Sequence, residues 1–585
     1  MIKRTLVTSA LPYANGPLHF GHLAGVYLPA DIYVRHLRLK KVKVIHISGS
    51  DEHGVAIMQN AQKANITYKE YVDSWHEKHK KLFADYMIDF DFFGQTSSDY
   101  HREETLKWFK VMNDKGAFEQ RDEPQLQCQD CHNFLPDRYV EGECYVCKYP
   151  KARGDECPQC GTWIDALKLT NTLCKFCGSK NIEVKTSKQW YLTLSKYSKV
   201  FNEWFKDKTF WKKTVYPYVQ SLVHEGLVDR AMTRDLDWGI DVPLVEAKGK
   251  KFYVWFDAPI GYVSNTKKYL EEKGIQEDYL KDWWQSTETK IVNFVGKDNV
   301  IFHSIIFPMM SLISGFARPV DELPANQFVN LYGKQFSKSQ EWYVDAEDAY
   351  KQFGVDALRY QLTTLIPETA DTSFTFEGFD ARVNNELANN LGNLVSRCLK
   401  FWEKNWPVLE LKGELNDELS NDNIMGQDFI SFWETQDSQE LMDICKNYHE
   451  TLEHFEFRRS LELLMQLSAK ANLFFSDSAP WAQIKADKNL AKKTIAHTVN
   501  WLMVLGVYFS PFMPKLAEEL SGYFSDFLSK EWKEKIYLQD WDAWKKYLKS
   551  LSVVKLMGPI GMLVPKIDAK MLKDLDQEFI GKLKG

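Results

Sequence analysis

The chain has 585 residues, of which 44% are hydrophobic and 26% charged, and its formal net charge is −6. This length exceeds what one hydrophobic core supports, so several domains are expected. No apolar run approaches the roughly 20 residues that cross a bilayer, and no secretory signal precedes the first strand-like segment. These features predict a cytoplasmic protein with no membrane association, and the negative charge argues against indiscriminate coating of nucleic acid.

The N-terminal segment predicts a βαβ unit. Residues 2–9 form a predicted buried strand, residues 21–39 carry apolar side chains on one helical face, and residues 42–48 form a second strand. Such a unit implies a parallel sheet. Pro29 falls inside the helical pattern, where it should kink the helix or remove one hydrogen bond.

The remaining chain changes character twice. Residues 120–180 combine cysteines, glycines and charges with little periodicity, which predicts a loop-rich module inserted into the sheet domain. Three sheet-like segments follow, which we expect to complete the same sheet: residues 251–256, 291–295 and 328–331. From about Gly378 onward, apolar residues recur at three- and four-residue spacing, for example over 438–452 and 458–475. This pattern predicts an almost wholly helical second half.

A histidine motif at residues 19–22 suggests phosphate binding. It follows a strand and opens a helix, where free backbone N–H groups and the positive end of the helix dipole face the mouth of the sheet. His19 and His22 lie on one face of the first turn and can donate to phosphate oxygens. Gly21 would let a flat adenine ring lie against the backbone. When this motif occurs alone, its histidines more often only form local hydrogen bonds at the start of a helix.

A glycine-led loop at residues 333–339 carries a second motif. Ser337 and Ser339 flank Lys338, which makes a compact set of donors for a polyphosphate. A lysine on a mobile loop can stabilise the charge that develops as pyrophosphate leaves. Without a second motif, a loop of this composition is usually an ordinary solvent-exposed loop that binds no ligand. The two motifs together, in this order on a split parallel sheet, predict an enzyme that forms adenylates.

The two motifs resemble the signature sequences of class I aminoacyl-tRNA synthetases, and longer segments resemble the methionyl-tRNA synthetase family. Those segments are residues 10–16, 49–54, 255–262, 296–298 and 302–304. The resemblance extends to at least residue 485. It implies an α/β fold with a Rossmann-like parallel-sheet catalytic domain, split by a zinc-knuckle insertion and followed by an α-helical bundle that binds the anticodon. It also implies activation of L-methionine with ATP and its transfer to tRNA(Met), including the initiator.

Four positions depart from the family pattern. Gln335 and Phe336 stand where the second signature usually has Lys-Met, so one of two phosphate-facing lysines is missing, although Lys334 lies one place earlier. Phe20 replaces an aliphatic residue at a position expected to pack inward, and Phe307 replaces a frequent tryptophan.

The resemblance also implies which residues handle ATP. His19, His22 and Lys338 are expected to be catalytic, and Asp298 to accept hydrogen bonds from the ribose hydroxyls. The expected ATP-binding residues are His19, Gly21, His22, Gly296, Lys297, Asp298, Ser337, Lys338 and Ser339. Magnesium should accompany the triphosphate, coordinated mainly by phosphate and water.

The amino-acid pocket implied by the resemblance is apolar and aromatic, which suits a polarizable thioether. Asp51, at the end of a strand, would hold the substrate ammonium and leave the carboxylate free to attack the α-phosphate. The expected pocket residues are Ala10, Leu11, Tyr13, Asp51, Trp255, Ala258, Pro259, Tyr262, His303 and Phe307. Without the resemblance, Trp255 and Tyr262 would be ordinary core aromatics and Asp51 a helix cap.

Eight of the ten cysteines form four Cys-x-x-Cys pairs. The pairs are Cys128/Cys131, Cys144/Cys147, Cys157/Cys160 and Cys174/Cys177. Two pairs complete a tetrahedral zinc site whose closed coordination is structural. The spacing allows one or two zinc ions, with pairs combined in order or nested. Relatives with a single zinc often keep the inner four cysteines, so the resemblance favours the nested arrangement.

The helical half is where relatives read the anticodon, by stacking and hydrogen bonds to splayed bases. The residues carried over are Asn393, Arg397 and Trp481, although Trp481 is equally compatible with simple packing at a helix end. Many relatives continue into a dimerising β-barrel, and this chain stops at Gly585, so we expect a monomer. The alternatives are a class I synthetase for another apolar amino acid, a related nucleotidyltransferase, and a zinc-containing RNA-binding protein that has lost catalysis.

The expected domains follow the motifs along the chain. They are 1–118 and 246–330 for the two catalytic halves, 119–245 for the insertion, 331–385 for the second-motif loop and stem-contact region, 386–550 for the anticodon domain and 551–585 for the tail.

Overall fold

Five parallel strands form the central sheet of the first half of the chain. In the computed structural model they are β1 (Arg4–Ser9), β2 (Lys43–Ser50), β3 (Phe92–Gln95), β4 (Thr289–Gly296) and β5 (Ala325–Asn326). Their order is β5-β4-β1-β2-β3, and all neighbours are parallel. β1, β2 and β4 are buried along most of their length, because helices cover both faces of a parallel sheet. The α/β fold class is therefore confirmed.

The structure describes most of the chain. The described residues are 2–135, 139–154, 157, 159–160, 164–337, 341–406, 424, 426–551 and 554–584. Within these ranges, no helix is both long and apolar enough to cross a membrane.

A helical run over residues 20–39 leads from β1 to β2. It contains a π-helical turn at Leu23–Tyr27, just before Pro29. Pro29 has no N–H to donate to the carbonyl of Gly25, and that carbonyl instead accepts a hydrogen bond from the Asn326 side-chain amide at 2.8 Å. The sequence-based expectation that Pro29 removes a helical hydrogen bond is confirmed, and the edge strand β5 replaces the lost donor.

Two of the three segments expected to complete the central sheet lie elsewhere. Only Thr289–Gly296 joins it. Lys250–Phe252 pairs with Thr233–Asp235 in a separate antiparallel ladder, and Val329–Leu331 pairs with Thr372–Phe374. The prediction for these two segments was wrong because aromatic and β-branched residues fit any strand, and tertiary contacts select the partner.

The expected strand 251–256 is also too long. Residues 254–257 form a helical turn, and the ring centroids of Phe252 and Phe256 approach within 4.8 Å. An extended strand would separate those two residues by about 13 Å. The chain turns here because both rings pack against Phe109.

The insertion is a long two-stranded arm with a small module at its tip. Phe118–Cys128 and Ile182–Leu192 pair antiparallel along their whole length. The module has its own three-stranded sheet, formed by Val140–Glu143, Ala152–Arg153 and Thr170–Cys174. Its buried residues form a cluster separate from the main core.

Helices surround the central sheet. The α-helices of this half are Phe20–His22, Leu28–Leu39, Val55–Ala64, Tyr68–Asp85, Asp99–Asp114, Ser198–Phe205, Tyr216–Glu225, Val254–Asp257, Ile260–Glu272, Phe307–Ser314, Ala346–Phe353 and Val355–Thr364. Shorter 3₁₀ or π turns are Leu23–Tyr27, Ala166–Lys168, Ser195–Tyr197, Val245–Ala247, Tyr279–Trp284, Lys297–Asn299 and Phe302–Ile306. The remaining short strand is Arg230–Ala231.

The second half is helical, as predicted. Its helices are Phe376–Asp380, Ala381–Gly392, Asn393–Asn405, Gly426–Ile430, Ser431–Glu434, Gln436–Glu453, Phe457–Ser478, Pro480–Ala486, Lys488–Tyr508, Pro514–Gly522, Lys530–Tyr537, Trp541–Ser550 and Ala569–Lys584. The last of these packs back towards the catalytic half, where the ring of Phe579 stacks on Tyr332 at 5.8 Å.

Arg359 connects the two halves. Its side chain is fully buried and pairs with Asp31 at 2.7 Å, on the helix that follows β1. It also donates to backbone carbonyls on both sides, those of Tyr86 and Met87 and those of Pro511 and Phe512. A buried cation with this many partners fixes the helical half against the sheet.

Candidate active site

Polar and aromatic residues gather at the carboxyl ends of β1, β2 and β4, which meet at one edge of the parallel sheet. Ala10 follows β1, Asp51 follows β2, and Lys297 follows β4. The backbone N–H of Asp51 donates to the carbonyl of Pro12 at 2.9 Å, and the N–H of Ala14 donates to the carbonyl of Asp51 at 2.8 Å. These bonds hold the segments after β1 and β2 side by side.

A narrow cavity lies at this edge. Its lining residues are Ala10, Leu11, Asp51, Trp255, Ala258, Pro259, Tyr262, Asn299 and His303. Eight of the ten residues expected in the amino-acid pocket are therefore brought together. Tyr13 lies beside Asp51 and is partly exposed, and Phe307 lies behind the wall with its ring 6.3 Å from that of Tyr262. Asn299 was missed, although it stands four residues before His303 on a helical turn.

Asp51 is the charged residue of the cavity and is only 8% exposed. Its Oδ1 atom is buried and has no hydrogen-bond partner among the described residues. Burial, followed by the nearby charge of Asp257, raises the pKa of Asp51 well above its ordinary value. A cation that enters the cavity can compensate the negative charge of this buried carboxylate.

Asp257 lies close to Asp51 but has partners of its own. His53 contacts its carboxylate through Nδ1 at 2.5 Å, and His101 approaches the same oxygen through Nε2 at 3.7 Å. Burial opposes ionisation of Asp257, but the two histidines outweigh it and hold its pKa below the ordinary value. Asp257 thus stays ionised within the protein, whereas Asp51 lacks an equivalent partner.

His303 forms a neutral part of the cavity wall. Burial lowers its pKa to about 4. Its Nδ1 lies 3.0 Å from the carbonyl of Asn299, which can only accept, so the proton of the neutral ring is assigned to Nδ1. Nε2 then accepts from the hydroxyl of Tyr262 at 2.8 Å.

An aromatic stack closes another side. The rings of Trp255 and Phe302 lie parallel, with centroids 3.5 Å apart and an interplanar angle of 7°. Both residues are half-buried. Together with the ring of Tyr262, this stack gives the cavity an apolar, polarizable lining.

The histidine motif begins the helix that follows β1. Nδ1 of His19 accepts from the backbone N–H of Gly21, and Nδ1 of His22 accepts from the N–H of His19, both at 3.1 Å. Because each Nδ1 accepts, the neutral rings carry their protons on Nε2. The two ring centroids are 3.8 Å apart at the helix start, and from Nε2 each neutral ring can donate to an anionic group that binds there.

The second motif is described only in part, because Lys338 and Ser339 lie outside the described residues. The backbone groups of Ser337 and Trp342 exchange two hydrogen bonds of 2.9 Å. The ring of Phe336 stacks on His19, which brings the two motifs into contact.

The segment after β4 carries Gly296, Lys297 and Asp298. A Cβ at residue 296 would lie 2.6 Å from an Asp298 carboxylate oxygen, so a side chain there would displace that carboxylate. The amine of Lys297 pairs with Asp371 at 2.7 Å and lies 4.1 Å from the ring centre of Phe328.

The cysteines form two groups in the nested arrangement. The inner group is Cys144, Cys147, Cys157 and Cys160, and the outer group is Cys128, Cys131, Cys174 and Cys177. Within each group the sulfurs lie within 4.8 Å of one another, and the closest pairs are 3.5 to 3.9 Å apart. Tetrahedral zinc with Zn–S bonds of about 2.3 Å requires sulfurs about 3.8 Å apart. Both groups therefore fit a four-thiolate metal site.

The anticodon candidates meet at one surface of the helical half. Asn393 and Arg397 line an open cavity together with Asn390 and Asn472, which were not expected from the sequence. The guanidinium carbon of Arg397 lies 5.3 Å from the ring centre of Trp481, and that ring is 44% exposed. An exposed ring beside a guanidinium and several amides suits the recognition of an unstacked base.

A parallel sheet split by an insertion, with a histidine motif at its first helix and a helical second half, is the architecture of class I aminoacyl-tRNA synthetases. Comparison with known families agrees. The profile described as tRNA synthetases class I (M) matches residues 5–399, and the anticodon binding domain of methionyl tRNA ligase matches residues 430–583. The chain belongs to the methionyl-tRNA synthetase family.

Individual relatives support this assignment. The methionine–tRNA ligase of Chloroherpeton thalassium is 40% identical over 529 residues, which cover 88% of this chain and 73% of that protein. That of Bacteroides fragilis is 41% identical over 525 residues, covering 88% and 74%. A structure of the Mycobacterium tuberculosis methionyl-tRNA synthetase in complex with methionyl-adenylate superposes with a TM-score of 0.73, at 22% identity over 96% of this chain and all of that chain. This last likeness concerns the fold alone.

Proposed function

We propose that the chain activates L-methionine with ATP, forming methionyl-adenylate and pyrophosphate, and then transfers methionine to tRNA(Met), including the initiator. The observation that carries this proposal is the buried, unpartnered Oδ1 atom of Asp51 in an apolar cavity. An amino acid supplies both the ammonium that this oxygen needs and a side chain that fits the aromatic walls.

In the proposed activation step, Asp51 binds the α-ammonium and the thioether lies against Trp255 and Tyr262. Neutral His303 fixes the Tyr262 hydroxyl without adding a positive charge that would compete with the ammonium. A substrate carboxylate oxygen attacks the α-phosphorus of ATP, and the bond to pyrophosphate breaks. In the second step a ribose hydroxyl of tRNA attacks the activated carbonyl and AMP leaves.

The phosphate groups would be held by the two motifs. His19 and His22 donate from Nε2 to phosphate oxygens at the start of a helix, and Lys338 would stabilise the departing pyrophosphate. Gly21 gives the adenine access to the backbone. The other proposed ATP contacts are Gly296, Lys297, Asp298, Ser337 and Ser339. Magnesium would enter bound to the triphosphate.

The two cysteine groups would each hold one zinc ion. With four thiolates the coordination is closed, so zinc supplies structural stability at the tip of the arm and takes no part in the reaction.

The helical half would bind the anticodon. Trp481 would stack on a base, while Asn393 and Arg397 donate to base edges. The domain division expected from the sequence, the monomeric state and the cytoplasmic location are retained as parts of this proposal.

ATP–pyrophosphate exchange measured with each of the twenty amino acids tests the proposed substrate. We expect exchange with methionine to exceed that with every other amino acid. Exchange driven best by another apolar amino acid would indicate a different class I specificity, and no exchange with any of them would contradict the proposal. Charging of tRNA(Met) transcripts, with a changed anticodon as control, tests the second step.

A further inference from the structure

The contact between the two motifs involves a residue that departs from the family pattern. Phe336 stands where the name-giving form of the second motif has methionine, and its ring is stacked on His19 with centroids 4.5 Å apart and an interplanar angle of 9°. The neighbouring Gln335, which replaces a lysine, is exposed. The loop thus meets the histidine motif through an uncharged, face-to-face ring contact.

The ring of His19 is held on several sides. Its Nδ1 accepts from the backbone N–H of Gly21 at 3.1 Å, and His22 approaches one side at 3.8 Å. A Cβ on residue 21 would lie 3.0 Å from two atoms of the His19 ring, so the absence of a side chain at Gly21 lets the ring lie this close to the backbone. Phe336 lies against a face of the ring and thereby limits its rotation about the Cβ–Cγ bond, on which the direction of Nε2 depends.

Phe336 is itself fixed by the backbone around it. Before it, Leu331 and Lys334 exchange backbone hydrogen bonds of 2.8 and 3.1 Å, which close a tight turn. After it, Ser337 is paired twice with Trp342, whose buried indole donates to the carbonyl of Leu331 at 3.2 Å. These hydrogen bonds hold the backbone before and after Phe336, so its ring has a defined position.

We propose that Phe336 is a positioning residue for His19, whose flat ring keeps Nε2–H of His19 directed at the phosphate that is attacked. The inference rests on the proposed function, since it assigns His19 to ATP. A flat ring restricts the plane of its stacking partner, whereas a flexible methionine does not. The role belongs to the ring rather than to apolar bulk, because the contact is parallel and face to face.

The test uses methionine-dependent ATP–pyrophosphate exchange and compares three variants at one position. Phe336→Tyr keeps the ring, Phe336→Leu keeps apolar bulk without it, and Phe336→Ala removes both. We expect Phe336→Tyr to retain wild-type kcat within about twofold, while Phe336→Leu and Phe336→Ala lower kcat about tenfold, the upper range for loss of one ring pair. The KM for methionine should stay within about twofold, because the methionine cavity is not touched.

A double-mutant cycle with His19→Asn shows whether Phe336 acts through His19. Adding Phe336→Leu to His19→Asn should cause less than a twofold further loss in single-turnover adenylate formation. Tyr547→Ala is the matched control, because it removes a ring stack of similar geometry from the helical half and should leave exchange unchanged.

Full activity of Phe336→Leu would overturn the proposal, and so would additive losses in the cycle. Equal losses in Phe336→Tyr and Phe336→Leu at unchanged melting temperature would also overturn it. A failure of the proposed function appears differently, because the wild-type chain would then show no exchange with methionine.

Discussion

Replacing Asp51 with Asn should damage activity and stabilise the protein at the same time. The substitution keeps the shape of the side chain and removes its charge. Truncating one partner of a buried, hydrogen-bonded charge pair costs about 2–5 kcal/mol, and each 1.4 kcal/mol corresponds to about a tenfold change. We therefore expect kcat/KM for methionine to fall about 30- to 4,000-fold, while the KM for ATP changes less than about threefold.

The stability change follows from the raised pKa of Asp51. A carboxyl group whose pKa is higher in the folded state stabilises the fold when protonated, and this contribution is lost as the pH rises through the folded-state pKa. At pH 7.5 a neutral Asn removes the cost of placing a negative charge at this buried position next to Asp257. The melting temperature of Asp51→Asn without methionine should therefore equal or exceed that of the wild type.

Exchange kinetics and thermal melts on the same preparation check both statements. Asp542→Asn serves as the control, because its side chain is fully exposed and it should change neither quantity. In the wild type, kcat/KM for methionine should rise with pH through the raised pKa of Asp51, and this limb should vanish in the variant. An unchanged kcat/KM, or a variant that melts several degrees lower, would refute the reasoning.

Three further predictions concern the rest of the chain. Arg359→Met should lower the unfolding free energy by about 3–5 kcal/mol because it leaves the buried Asp31 less compensated; denaturant titration checks this, and a change below about 1 kcal/mol would contradict it. Metal analysis should find two zinc ions per chain, falling to one in Cys144→Ser and in Cys174→Ser; one ion in the wild type would contradict the assignment. Trp481→Ala should weaken tRNA charging about tenfold and leave pyrophosphate exchange unchanged; an equal loss in both assays would point to misfolding.

Local features of this protein could be predicted from the sequence. The start of the helix at residue 20 follows from the histidine motif itself, since His19 supplies the side-chain cap. The long helices Gln436–Glu453 and Phe457–Ser478 were predicted within three residues, because their apolar spacing is regular over several turns. These features are determined by residues that are close together in the sequence, so one sequence is enough to predict them.

Features that depend on distant partners were not predicted equally well. Residues 251–256 are rich in aromatic residues and look like a sheet strand, but only Lys250–Phe252 is a strand, and its partner Thr233–Asp235 cannot be read from the pattern of the segment itself. Asn299 contacts the cavity from a short turn that carries no motif. Two cysteine pairings were compatible with the spacing, and the arm that closes Cys128 against Ile182 brings the outer pairs together.

The difference between Asp51 and Asp257 explains how one cavity can select a single ammonium group. Both carboxylates are buried near the same strand end, and each would attract a cation if it stood alone. His53 and His101 already compensate Asp257, so its pKa is held low and its need for a positive charge is met within the protein. Each carboxylate has one oxygen without a hydrogen-bond partner among the described residues, but of the two it is Asp51 whose pKa is raised. At this cavity the fold thus leaves Asp51 without a cationic partner, where an amino acid's ammonium group can reach it, whereas neighbouring histidines compensate the charge of Asp257.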